Sequence, residues 1–450
     1  MKRPCLVLLL SCAALAAAAA HAAPAPAGPA ASRSLTLKNG LRVLLVPDPR
    51  AAAVDVSVWY QAGVRYERPG SLGISHLFEH LSSRGAAPGG ADELRRRIDA
   101  EGGTTASYTT ADFTCYTHTV PRGALAMVLR LEAGRLGLRP TQAMLDQERA
   151  VVREENRARA RTNPLERGLQ RLYATAFATH PYRWPVLGSD DDLQRITLGQ
   201  CQDFLRTRYT PDQVFIAIVG DFDPDQASDE LRRGFEPVRR RGESRTAAAE
   251  PEPNGERRAV EGGDLQVPVV IVGWRVPTGA TGDAPALDLL STLLSRGPAA
   301  RLNLRLVGGE QLSLFAQTGR DSRRDATMFW AAAAARSAGD TAAVERRLLR
   351  EIETLATEPV SGEELDRARR QLEVALLLGR QSARDRGQVL GTSQMIAGDW
   401  RDADRQLERL RSLTPADLQA AAARTLIAAR RTVVWMTSGT AGATGGGDRP

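Results

Sequence analysis

Lysine is almost absent from this chain. Of 60 basic residues only Lys2 and Lys38 are lysines, and the rest are arginines. With abundant alanine, this is the skew of a GC-rich genome, so the basic balance does not point to a nucleic-acid partner. The formal net charge of +7 is modest for 450 residues, and no nucleic-acid motif accompanies it. Aromatic residues are scarce, at 5%. After the N-terminal stretch, no apolar run approaches the roughly 20 residues that span a bilayer, so no transmembrane helix is expected. Cysteine is thin as well. Cys5 and Cys12 fall in the N-terminal stretch, which leaves Cys115 and Cys201. One possible pair is no disulfide framework, and both read as small buried hydrophobes. What remains is an ordinary globular balance, 42% hydrophobic and 25% charged, which excludes wholesale disorder. The length predicts two domains or more.

Lys2 and Arg3 precede an apolar, Ala-rich run that ends at Ala20-His21-Ala22. This reads as a signal peptide over residues 1–22, and it predicts an exported, periplasmic protein. The alternative is a lipobox, Leu9-Leu10-Ser11-Cys12, with tethering through Cys12. The rest falls into two halves: 34–236, a connecting segment 237–262 rich in Pro, Gly, Glu and Arg, and 263–438. The Gly-rich tail 439–450 reads as disordered. Each half starts with strands, continues through a helical block and closes on a strand. The strand ending at Trp59 has a counterpart ending at Trp274, and Leu193-x-x-Ile196-Thr197 has one in Leu410-x-x-Leu413-Thr414. These offsets predict a duplicated α+β domain, each copy a mainly antiparallel sheet with helices packed on one face.

The chemistry lies in His76-Leu77-Phe78-Glu79-His80, an H-x-x-E-H. On a helix, His76, Glu79, His80 and Ser83 share one stripe, while Ile74, Leu77, Phe78 and Leu81 share the opposite one. Two imidazoles four residues apart can bind one zinc ion, with the glutamate beside them to activate water. A third ligand is expected from the helix around residues 141–160. There Glu148 and Glu155 are seven apart, hence on one face, and Met144, Leu145, Val151 and Val152 fall on the same side. Carboxylates in an apolar stripe need a partner, and a metal or its surroundings would be one. Glu154 points about 100° away, toward solvent.

This combination resembles the M16 (insulinase/pitrilysin, mitochondrial processing peptidase-like) zinc peptidases. HLFEH is followed after 74 residues by Glu155 within ERAVVREE. Gly73-Ile74-Ser75, Gly102-Gly103, Asp112-Phe113-Thr114, His180-Pro181-Tyr182 and Val219-Gly220-Asp221 also fit. The resemblance implies His76, His80 and Glu155 as Zn2+ ligands, Glu79 as general base and Glu148 as a supporting acid. It implies peptide hydrolysis in an enclosed chamber that admits unfolded or short peptides. His118 and His180 read as structural.

Two departures qualify the resemblance. Where the family carries an Asn-Ala pair at the substrate, this chain has Ala106-Ser107, which leaves backbone pairing to hold an extended peptide. Self-sufficient members also carry an Arg and a Tyr in the second half. Arg305 matches the Arg, but Leu314-Phe315 stands where the Tyr would fall, and neither can donate to a developing oxyanion. The second half has Asp288-Leu-Leu-Ser-Thr292 in place of the metal motif. The resemblance therefore suggests the zinc-bearing subunit of a dimer, with a homologous chain supplying an Arg/Tyr pair, or a homodimer. The alternative is a non-catalytic scaffold or assembly subunit that keeps the fold.

Overall fold

The computed structural model describes residues 32–85, 91–239, 247–263, 265–276 and 282–438. The expected signal peptide, Cys12 and the 439–450 tail lie outside these residues. Among them, no helix is long and apolar enough to cross a membrane.

The first half builds a six-stranded sheet. Its strands are β1 (Arg33–Thr36), β2 (Arg42–Pro47), β3 (Val54–Tyr60), β4 (Thr104–Thr109), β5 (Thr114–Val120) and β6 (Val214–Gly220), in the order β1-β2-β6-β3-β5-β4. The second half builds a five-stranded sheet from β7 (Arg257–Gly263), β8 (Val269–Val276), β9 (Ser313–Arg320), β10 (Thr327–Ala335) and β11 (Arg431–Ser438), in the order β7-β11-β8-β10-β9. Without β1 the two orders are the same. Each sheet has a single parallel pair, β2 with β6 and β7 with β11, and is otherwise antiparallel. Thr197 and Thr414, the two equivalent threonines, each close a capping box on the helix before the last strand of their half.

Three details differ from the sequence expectations. Residues 257–262, expected in the connecting segment, belong to β7. It is an edge strand paired only with β11, and along it Arg258 and Val260 face out while Arg257, Ala259 and Glu261 are half-buried. Residues 104–119, which read from the sequence as one strand run, form a hairpin, β4 and β5, turned by Thr110, whose hydroxyl takes the N–H groups of Asp112 and Phe113. Trp59 and Trp274 are not equivalent. Trp274 faces the helical block beside Val272, whereas in β3 that face belongs to Val58 and Tyr60 and Trp59 points the other way. With a period of two, a one-residue slip exchanges the faces, so Tyr60 is the counterpart of Trp274.

Each helical block packs on one face of its own sheet, and the fold is the two-layer α+β unit, repeated. The opposite face of each sheet takes one helix from the other half. Helix Ala383–Ala397 covers Trp59, Cys115, Phe215 and Val219 with Met395. Helix Pro164–Ala176 covers Ile271, Val434 and Met436 with Leu172 and Tyr173. Burying a side chain of this size stabilises by about 1.5–3 kcal/mol, so the exchange welds the halves together. β6, buried on both faces, is apolar along its whole length, VFIAIVG. Cys115 and Cys201 are both buried and free.

Candidate metal centre

The H-x-x-E-H segment lies in helix Ile74–Gly85. Its start is held by Glu67, a buried carboxylate. One Glu67 oxygen accepts from Gly73 N–H at 2.7 Å and the other from Ser75 N–H at 2.9 Å. These are N–H groups that a helix terminus otherwise leaves without partners. Gly73 turns into the helix with φ +89°, and a Cβ there would meet the Leu187 carbonyl at 2.7 Å. Ile74, Leu77, Phe78 and Leu81 face the core. The other stripe is not open either: His76 and Glu79 are buried, and His80 is half-buried.

Helix Gln142–Thr162 runs beside it and turns Glu148 and Glu155 toward the motif, with Leu145 and Val152 fully buried between them. Val151, expected on that side, is 47% exposed, and Glu154 faces solvent. Three ligand atoms converge. Glu155 Oε2 lies 3.6 Å from His76 Nε2 and 3.6 Å from His80 Nε2, and all three lie within 4.8 Å of one another. Two ligands held at 2.0–2.1 Å by a tetrahedral ion stand about 3.4 Å apart. Two imidazole nitrogens and one carboxylate oxygen at these separations fit zinc with a position left open.

The charges fit as well. Burial, then the neighbouring His80, pushes the His76 pKa down to about 4, so its ring is neutral near pH 7 and has a lone pair to give. Burial opposes charge on His80 too, but Glu148 and Glu155 outweigh it and raise the ring to about 9. The hydrogen bond from His80 holds Glu155 at about 2. A cation would take the place of the His80 proton. His80 Nδ1 lies 3.3 Å from Glu148 Oε2, and the other Glu148 oxygen is bound by Arg84 Nε. A carboxylate on the far nitrogen fixes ring and tautomer for a ligand at Nε2.

Glu79 Oε2 accepts from the Thr109 hydroxyl at 2.6 Å. Thr109 ends β4, an edge strand with one side unpaired. Ala106 and Ser107 lie on this strand, half-buried and exposed respectively. Arg305 is exposed in the π-helix Asn303–Gly309, and no contact among the described residues joins it to the His/Glu cluster. Sequence reasoning missed Thr109, Glu67 and Arg84. Arg84, one turn after His80, had a signal in its spacing; Thr109 and Glu67 depend on tertiary contacts. In the second half the matching helix, Ala284–Ser295, carries Asp288, paired at 2.8 Å through both oxygens with Arg320 of edge strand β9. An ion pair ties helix to edge strand there. His118 is buried against Glu132, and His180 lies between the halves, bonded to Asp325.

Residues 42–190 match the family described as Insulinase (Peptidase family M16), and residues 195–372 match Peptidase M16 inactive domain. A zinc protease of Helicobacter pylori, PqqE, is 30% identical over 342 residues, 74% of this chain and 77% of that protein. An uncharacterized zinc protease of Mycobacterium bovis is 28% identical over 405 residues, 87% and 90% of the two chains. The crystal structure of a protease from Helicobacter pylori superposes with a TM-score of 0.84 at 27% identity, covering 90% of this chain and 99% of that one. Duplicated halves, a motif helix in the first half alone and these matches place the chain in the M16 peptidase family.

Proposed function

We propose that this chain is a zinc-dependent endopeptidase or oligopeptidase acting on unfolded or short peptides. The observation that carries the reading is the convergence of His76 Nε2, His80 Nε2 and Glu155 Oε2, with Glu79 one turn from His76 on the same helix. A zinc ion held there would polarise the scissile carbonyl and acidify the attacking water. Glu79 takes the water proton and passes it to the leaving amine. Thr109 orients the Glu79 carboxylate, and Glu148, steadied by Arg84, orients His80. The free edge of β4 offers backbone N–H and C=O groups to an extended peptide past Ala106 and Ser107, which suits substrates without a fold of their own.

The chain acts as the zinc-bearing subunit of a dimer that encloses the substrate, exported to the periplasm. Its second half supplies no Tyr beside Leu314 and Phe315, so a homologous chain with an Arg/Tyr pair is the partner this reading favours; full activity of a homodimer would refute that need. Peptide cleavage followed by mass spectrometry, with chelation and zinc restoration, tests the reading. Loss on chelation and recovery with zinc are expected. Cleavage indifferent to chelator contradicts it. No cleavage by the zinc-loaded chain, alone or with such a partner, favours the scaffold.

A further inference from the structure

A short path leads from the contacts between the halves to the motif helix. Arg65 donates to Asp325 through Nε at 2.5 Å and through Nη2 at 2.8 Å. Asp325 belongs to the second half, in the loop between β9 and β10. Arg65 belongs to the tight turn Val64–Tyr66, and the next residue, Glu67, caps the motif helix. The turn has little room to move. Tyr66 N–H bonds the Gly63 carbonyl at 2.9 Å, and Glu67 N–H bonds the Val64 carbonyl at 3.0 Å. Arg65 N–H bonds the Ala111 carbonyl at 2.8 Å, and a Cβ on Gly63 would come within 2.6 Å of the Thr110 carbonyl oxygen. The Arg65 side chain and the Glu67 backbone thus hang on the same stiff turn.

Asp325 is itself fixed from the other side. His180 Nδ1 accepts from Tyr182 N–H at 3.1 Å, so in the neutral ring the proton sits on Nε2, which donates to Asp325 at 3.0 Å. Tyr182 OH accepts from Asp325 N–H at 3.3 Å. The same Tyr182 hydroxyl donates to buried Asp112, whose other oxygen takes Arg324 N–H at 3.2 Å. Asp112 lies in the β4–β5 turn, three residues from Thr109. The loop of the second half thus grips both the turn that caps the motif helix and the turn that ends the Thr109 strand.

We infer that Asp325 is a positioning residue for the metal centre: by holding Arg65 it sets the Glu67 cap, and with it the placement of His76, Glu79 and His80. This deepens the peptidase reading and rests on it. It gives the half that lacks zinc ligands a task in the chemistry of the other half.

Amide hydrogen exchange at Gly73 and Ser75 tests the link without reference to metal or turnover. The full-length chain is compared with Asp325→Asn, Arg65→Gln, the double variant, and Asp321→Asn in the same loop as a control. Asp321 accepts from Tyr173 and makes no contact with Arg65 among the described residues. Asp325→Asn is expected to speed exchange at Gly73 and Ser75 by about tenfold or more, the weight of one charged hydrogen bond. It is also expected to lower kcat by between about tenfold and a hundredfold at nearly unchanged KM, and to shift the visible absorption of the cobalt-substituted protein. Arg65→Gln should do the same, and the double variant should be no worse than either single, since the two residues act as one unit. Unchanged exchange and kcat in Asp325→Asn, additive losses, or an equal effect of Asp321→Asn would overturn the inference. If Asp325→Asn fails to fold, Arg65→Lys, which keeps the charge and loses the two-pronged contact, carries the same comparison. A wild-type chain that binds no metal would sink the peptidase reading, while exchange at Gly73 and Ser75 would still decide whether Asp325 governs the cap.

Discussion

The Thr109 hydroxyl donates to Glu79 Oε2 at 2.6 Å, so the last residue of a sheet-edge strand holds the carboxylate proposed to handle the proton. Thr109 and Glu79 are separated by 30 positions and by a whole helix, and the hairpin of β4 with β5 brings them together.

Thr109→Val removes the hydroxyl and keeps the shape. A hydrogen bond to a charged group is worth about 1.5–3 kcal/mol. The variant is expected to bind zinc as wild type does and to lose at least about tenfold in kcat. Steady-state kinetics beside metal analysis checks this. Wild-type turnover would remove Thr109 from the site.

Glu155→Gln and Glu154→Gln separate the proposed third ligand from its neighbour. Glu155 faces both imidazoles, and Glu154 lies in solvent among Arg157 and Arg161. Zinc titration is expected to weaken at least about a hundredfold for Glu155→Gln and to be unchanged for Glu154→Gln. Equal losses would move the ligand.

Beneath the motif helix, Glu132 is buried with Arg135 at 2.7 Å and His118 at 2.9 Å. Burial works to raise its pKa, but Arg135 and His118 outweigh burial and hold it at about 2, below the ordinary 4.5. Because the folded value is depressed, the stabilisation is complete above 4.5 and fades as pH falls from there toward 2. Glu132→Gln leaves Arg135 unpaired, a loss of about 3–5 kcal/mol near neutral pH. Urea unfolding at about pH 7 and about pH 3 is expected to show the deficit shrinking in acid. An equal deficit at both would contradict the assignment.

Gly391 sits where helix Ala383–Ala397 crosses Trp59, and a Cβ there would lie 2.1 Å from the indole ring. Gly391→Leu is therefore expected to part the exchanged helix from the first sheet and to cost about 1–3 kcal/mol or more. Calorimetry would show a lowered Tm or separate melting of the halves. An unchanged Tm would mean that this contact does not hold the halves together.

The duplicated architecture was legible because hydrophobic period and helix caps are local. The alternation of β3 and β5 and the Thr197 and Thr414 caps mark elements without reference to the rest of the chain. Helical spacing likewise set His76 and His80 on one face and Glu148 and Glu155 on another, but it did not choose between the two glutamates; Glu155 as a ligand came from the family resemblance. The faces of Trp59 and Trp274 were not legible, because aromatic identity was matched where the period of two should have decided. Nor could local pattern show that helices Pro164–Ala176 and Ala383–Ala397 pack on each other's sheets, since a side-chain pattern can mark a buried face but not which sheet buries it. Thr109, Glu67 and Asp325 act through contacts made only after folding.

The most direct test of the central claim is peptide hydrolysis by wild type and Glu79→Gln. Each would be loaded with zinc and assayed alone and with a homologous chain lacking H-x-x-E-H. The account predicts one bound zinc in both proteins, cleavage by wild type in at least one of the two assays, and none by Glu79→Gln in either. Wild-type cleavage by Glu79→Gln would contradict it.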